Sequence, residues 1–221
     1  MSQLPRPASP TRPLTAAQRK RRHAIMRATT ALLSNLGYEG LSMKAIAAEA
    51  GVAERTLFNI YATKDALVAV SARERTYDIV REASDKAPDR TIGFLRSLTR
   101  TLAQRTLDAP QVARALAPVL TQHADLVDLD QVYARFLGPT LKELAEQDQL
   151  EPGHVEGLGR LIAMRMAGTV NLWSGRTIAD DKLEIHMRLS LAEVLLPHAT
   201  GPLKKWAEDE ANTCFKAIYS A

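Results

Sequence analysis

Few side chains in this sequence are spaced for catalysis or metal binding. The five histidines, His23, His123, His154, His186 and His198, are scattered, and none has a histidine neighbour at i+3 or i+4, as a helical zinc site needs. The single cysteine, Cys214, excludes an intramolecular disulfide and a cysteine-based zinc site. It falls in an amphipathic segment and reads as a core residue. Gly157-Leu158-Gly159 is half of a phosphate loop, with no third glycine and no preceding strand, and no Gly-x-Ser-x-Gly occurs. No enzyme, metal or cofactor is expected.

A different chemistry is written between Leu41 and Tyr61. Ser42 can accept an orphan N–H as the N-cap of a short helix carrying Met43, Ile46, Ala47 and Ala50 on one stripe. Gly51 supplies the left-handed residue that a sharp turn needs. A second short helix follows over Glu54–Tyr61. Ala47 is small enough to let the second helix approach, and Val52 and Leu57 fill the angle between the two. This is the layout of a helix-turn-helix, whose second helix can lie in a major groove and read base edges.

The elements that position this motif are helical throughout. Ile25, Ala28, Thr29, Leu32, Leu33 and Leu36 form the stripe of a preceding helix, stopped by Gly37. Thr63 reads as the N-cap of the next one, with Asp65 in its first turn and an end near Ala87-Pro88. Beyond Pro88 every recognisable segment has helical spacing: a stripe at Leu95, Leu98 and Leu102; a short helix between Pro110 and Pro118; a long one from Leu129 to Leu144, kinked at Gly138-Pro139; Val155 to Trp173; Leu183 to Leu195; and a terminal amphipathic helix after Gly201-Pro202. With 221 residues, 46% hydrophobic and only 5% aromatic, the chain has material for one large or two small helical domains rather than a sandwich or barrel. Residues 1–14 carry four prolines with Arg6 and Arg12 and read as a basic arm.

Charge divides the chain. The total is +4. Residues 1–64 balance at +7, with ten Lys/Arg against three Asp/Glu, and the remainder at −3. The basic excess therefore sits with the helix-turn-helix, as contact with a phosphate backbone requires.

The run from Arg19 to Ala69 resembles the DNA-binding domain of TetR-family transcriptional regulators. Leu36-Gly37-Tyr38 matches the end of that domain's first helix, and Ser42 to Ala47 its Thr/Ser-x-x-x-Ile-Ala element. Ala50-Gly51-Val52-Ala53 stands at the Ala-Gly-Val-Ser turn, Thr56-Leu57-Phe58-Asn59-Ile60-Tyr61 at Thr-Leu-Tyr-x-x-Phe, and Lys64-Asp65-Ala66-Leu67 at Lys-Glu-x-Leu. Two positions depart. Phe58 and Tyr61 exchange the family's order, so a tyrosine–phosphate contact is lost at 58 or moves elsewhere. Ala53 replaces the capping serine, a loss of roughly 1 kcal/mol in the recognition helix.

The resemblance implies an all-α fold, with an N-terminal three-helix helix-turn-helix domain and a larger C-terminal helical ligand-binding and dimerisation domain. The expected divisions are the arm at 1–14, the DNA-binding domain at 15–66, the body at 67–200 and the terminal helix at 201–221. It implies a DNA-facing set of Ser42, Lys44, Arg55, Thr56, Phe58, Asn59, Tyr61 and Lys64. In that set Ser42, Lys44, Thr56 and Lys64 touch phosphates, and Tyr61 turns its hydroxyl to the DNA backbone. Arg55 and Asn59 suit guanine and adenine edges. Arg6, Arg12 and Arg19–Arg22 add non-specific attraction or, for the last group, form a solvated face.

It also implies a homodimer on a pseudo-palindromic, double-stranded operator, and release by an unidentified small-molecule effector. The helices at Val155–Trp173 and Leu183–Leu195 are the expected interface, with Gly157, Gly159, Ala163 and Gly168 permitting close approach. The candidate pocket wall is Leu98, Leu102, His123, Tyr133, Phe136, Met164, Arg165 and Trp173; plain core packing is the other reading of each. The alternatives for the whole chain are a DNA-binding activator without ligand and a small-molecule-binding helical protein with an incidental helix-turn-helix. No membrane partner is expected. Arg27 interrupts the only leader-like stretch near the start, and a cytoplasmic location is expected.

Overall fold

Thr15 caps the first helix reciprocally with Gln18: its hydroxyl accepts from the Gln18 N–H at 3.3 Å, and the Gln18 side chain accepts from the Thr15 N–H at 2.8 Å. The computed structural model describes residues 15–219, except the side chains of residues 124 and 125. The basic arm at 1–14, with Arg6 and Arg12, lies outside the described residues. Eleven α-helices are present among them: α1 (Ala16–Leu36), α2 (Met43–Ala50), α3 (Glu54–Tyr61), α4 (Lys64–Lys86), α5 (Ile92–Leu107), α6 (Pro110–Gln122), α7 (Ala124–Val127), α8 (Leu129–Glu146), α9 (Val155–Ser174), α10 (Leu183–Leu195) and α11 (Gly201–Tyr219). The described residues contain no strand, only an isolated bridge between Leu150 and Ala199. The fold is all-α, with a three-helix head and a larger helical body.

The head is α1 to α3. Ile25, Ala28, Thr29 and Leu33 of the α1 stripe are buried, while Leu36, at the helix end, is half exposed. Ile46 and Leu57 close the angle between α2 and α3 with no exposed surface. α4 joins head to body as one continuous helix, so residue 67 falls inside an element.

In the body, α8, α9, α10 and α11 pack each against the next, and α5 lies between α4 and α10. α6 touches α9 on one side and both α1 and α4 on the other. The core runs through Leu95, Leu98, Leu137, Leu141, Leu144, Ile162, Trp173, Leu183 and Met187, each without exposed surface.

One expectation about proline is corrected. α6 does not stop at Pro118 but continues to Gln122. Pro118 removes one bond, that to the carbonyl of Arg114, and burial of Leu116, Ala117 and Val119 holds the last turn. α8 spans Leu129–Glu146 with Pro139 inside it.

Candidate nucleic-acid interface

Local chemistry builds the helix-turn-helix. The Ser42 hydroxyl accepts from the Ala45 N–H at 3.1 Å and starts α2. Gly51 ends it at φ 65°, ψ 36°, where a Cβ would be strained, and its N–H returns to the carbonyls of Ala47 and Ala48. Ala53 precedes α3 in the extended conformation of an N-cap but offers no side-chain hydrogen bond. The first-turn Glu54 partly offsets this through the helix dipole.

α3 has two distinct faces. Leu57 is fully buried and Tyr61 is 3% exposed, which locks the inner face into the head. Arg55, Phe58 and Asn59 project outward, with Phe58 at 44% exposure. Lys44 and Ser42 are exposed on the neighbouring edge of α2, and Thr56 is half-buried. A donor, an amide and an aromatic ring thus share one free helical surface.

Tyr61 packs into the head, and burial pushes its hydroxyl up to about 12, with Glu74 adding to the rise and Arg22 and Arg73 opposing it. The exchange of Phe58 and Tyr61 is therefore an exchange of surface for core: the hydroxyl went inward and the bare ring outward.

Lys64 is engaged as well. Its ammonium donates to the Tyr38 carbonyl at 3.3 Å and lies 4.3 Å from the centre of the Tyr38 ring. The Tyr38 hydroxyl donates to Asp65, and burial followed by that bond raises it above the ordinary phenol range. The Thr63 hydroxyl accepts from the Ala66 N–H at 3.1 Å. Together these fasten the end of α1 to the start of α4. Both halves of this latch, Gly37-Tyr38 and Lys64-Asp65, stand in the sequence motifs, but their meeting is a property of the fold.

Four of the eight residues expected to wall a pocket are buried. Leu98 and Trp173 have no exposed surface, Tyr133 is 2% exposed and Leu102 6%. Phe136 is half-buried, its ring edge-on to Tyr77 at 5.3 Å. His123 ends α6, and its carbonyl accepts from Leu126 and Val127. Met164 and Arg165 correct the expectation: they lie on the outward face of α9, Met164 at 61% exposure, because Ile162, Ala163 and Met166 take the core positions.

Residues 25–70 match the family described as bacterial regulatory proteins, tetR family. The chain is 28% identical over 191 residues to the HTH-type transcriptional repressor KstR of Rhodococcus jostii strain RHA1, covering 80% of this chain and 85% of that protein. It is 32% identical over 131 residues to KstR of Mycolicibacterium smegmatis, covering 54% of this chain and 64% of that one. Among solved structures, a TetR transcriptional regulator from Rhodococcus sp. RHA1 superposes with a TM-score of 0.66 at 16% identity, covering 81% of this chain and 98% of the other. The TetR-family repressor FadR of Thermus thermophilus, solved in complex with lauroyl-CoA, superposes at 0.59 with 24% identity, covering 82% and 98%. A head capped, turned and latched in this way carries the segment that matches the bacterial tetR family of regulatory proteins, ahead of a helical body with the fold of these solved regulators, and the chain is similar to TetR-family transcriptional repressors.

Proposed function

We propose that this protein is a homodimeric repressor that binds a pseudo-palindromic operator through α3 and is released by a small-molecule effector. The observation that carries the reading is the free face of α3: Arg55, Phe58 and Asn59 exposed on a helix whose opposite face is fixed by Leu57 and Tyr61. Arg55 suits a guanine edge, Asn59 an adenine edge, and the Phe58 ring a thymine methyl. Ser42, Lys44, Thr56 and Lys64 are assigned to phosphates. The bond to Tyr38 uses only one of the three donors of Lys64. Lys20 and Arg21 are exposed in the first turns of α1, where positive charge works against the helix dipole. A DNA phosphate nearby would offset that cost.

Pairing is supported by an apolar stripe. Leu161, Met164 and Leu172 are 46%, 61% and 50% exposed on α9, where Gly157 and Gly168 share their face. A Cβ at either glycine would meet no heavy atom within 4 Å, so their smallness serves no approach inside this chain. A second copy of α9 and α10 is the occupant that two-fold operator recognition calls for.

Effector control is supported by the lauroyl-CoA complex of the Thermus thermophilus protein of this fold. Here Leu98, Leu102, Tyr133 and Trp173 are buried within the body. A ligand inserted among them, with Phe136 and His123 at the margin, binds a looser body better than this one. It thereby shifts the population away from the DNA-binding arrangement.

The test is binding of the purified protein to DNA upstream of its own gene at two salt concentrations. Preference over random DNA, weakening steeply with salt, is expected. Equal affinity for random DNA defeats the reading.

A further inference from the structure

A cleft of about 670 Å³ lies neither on the α3 face nor inside the body. It lies where head meets body, between α1, the end of α2, α4 and α5. Its floor includes small side chains of α1, Ala24, Ala28 and Ala31. Its walls are polar and carry Arg27 from α1, Ser71, Glu74, Arg75 and Asp78 from α4, and Arg105 from α5.

Arg75 is the unusual member. Its Nη2 donates to the Arg105 carbonyl at 2.6 Å, a neutral acceptor. Among the described residues no carboxylate lies within ion-pair distance of it. Burial, and then the adjacent Arg105 charge, lower its proton affinity, against partial compensation from Asp108. Three acids, Glu49, Glu74 and Asp78, also line the cleft, and none of them pairs with Arg75. Asp78 pairs with Arg81 at 3.1 Å, and Glu82 serves both Lys86 at 2.6 Å and Arg105 at 3.4 Å. Glu74 is shifted toward its neutral form by burial. A partly buried guanidinium beside a like charge is costly unless an anion pairs with it.

Ser71 supplies a second, independent sign. It is one turn before Arg75 on the same face of α4, is 5% exposed, and lines the cleft. The buried hydroxyls of Thr29, Thr76 and Thr106 each return to the carbonyl four residues back. The Ser71 hydroxyl makes no hydrogen bond among the described residues. A buried hydroxyl facing a water-sized space beside an unpaired guanidinium is a donor set waiting for an oxygen anion.

We propose that this cleft is a binding site for an oxyanion, the carboxylate or phosphate group of a small molecule, held by Arg75 and Ser71 with Arg105 and Arg27 at its sides. The bound group bridges α1 of the head to α4 and α5 of the body, a position separate from the body interior assigned to the effector above.

The experiment is calorimetric titration of the full chain with inorganic phosphate and, separately, with butyrate, both against a sodium chloride background of about 0.15 M to screen exposed charges. Saturable binding of at least one is expected, and which of the two it is identifies the source of the anion. Arg75→Met weakens that binding by at least about tenfold, and Ser71→Ala, which cannot disturb packing much, by about threefold to tenfold. No saturable heat from either anion up to about 50 mM, the limit of a useful affinity, overturns the proposal. So does binding that Ser71→Ala and Arg75→Met both leave unchanged.

Discussion

The Arg114 guanidinium lies over Trp173, 4.2 Å from the ring centre, and closes the C-terminal end of α9. Its Nη1 donates at 2.9 Å to the carbonyl of Ser174, an acceptor the helix end leaves open, and at 3.2 Å to that of Trp173, which also accepts from the Arg176 N–H at 2.9 Å. Asp180 completes the arrangement, accepting from the Trp173 indole at 2.8 Å and standing 3.5 Å from Arg114. Arg114 belongs to α6, which also packs on α1 and α4. One side chain therefore ties the end of the proposed dimer helix to the element that touches the head.

Arg114→Ala is expected to lower stability by about 1–3 kcal/mol, because it removes the ring contact and leaves the Ser174 carbonyl short of a donor. Arg114→Lys keeps the charge but loses the planar fork, and falls between. Urea denaturation followed by tryptophan emission measures both. A loss below about 0.5 kcal/mol for the alanine variant contradicts the assignment.

Arg55→Ala should relax sequence choice at one operator position by about 1–3 kcal/mol, while Lys44→Ala weakens all sequences alike and lowers the salt slope by about one. Lys64 is the poorer control, since its loss also releases Tyr38. Uracil in place of the thymine that Phe58 faces should weaken the native protein and leave Phe58→Ala unaffected. Anisotropy titrations on operator variants read all three, and identical behaviour of the Arg55 and Lys44 variants reverses their roles.

Ala53→Ser restores a capping hydroxyl to α3 where the backbone is already extended, at φ −66° and ψ 138°. It should stabilise the head by about 0.5–2 kcal/mol and raise the melting temperature. An unchanged midpoint would mean that Glu54 and the turn already satisfy the first N–H groups.

Leu161→Arg places a charge in the exposed stripe of α9 without touching the core of its own chain. The variant should keep the helical circular dichroism of the parent and run as a monomer in light scattering, with operator affinity falling at least about tenfold. A dimer of unchanged affinity moves the interface elsewhere.

The recognition motif was legible because its determinants are local. Ser42 and Thr63 bond to N–H groups three residues on, and Gly51 takes the conformation its own missing side chain allows. Helix stops were less so: Pro118 disrupts one backbone bond, and whether the chain continues past it depends on what the next turn buries. Tyr61 and Phe58 show the same limit. Both are aromatic and three residues apart; helical spacing put Tyr61 on the side of Leu57, but how deeply its ring is buried is a property of the packed head.

By itself the sequence determined the helical class, the helix-turn-helix at 41–61 and a basic head on an acidic body, since propensity, capping and charge act within a few residues. Only the tertiary structure decided which stripe of α9 turns outward, carrying Met164 and Arg165 away from the interior. It alone joined Lys64 to Tyr38 across 26 positions and Arg114 to Trp173 across 59. Such contacts depend on how helices are oriented against one another, and spacing along a single helix does not carry that information.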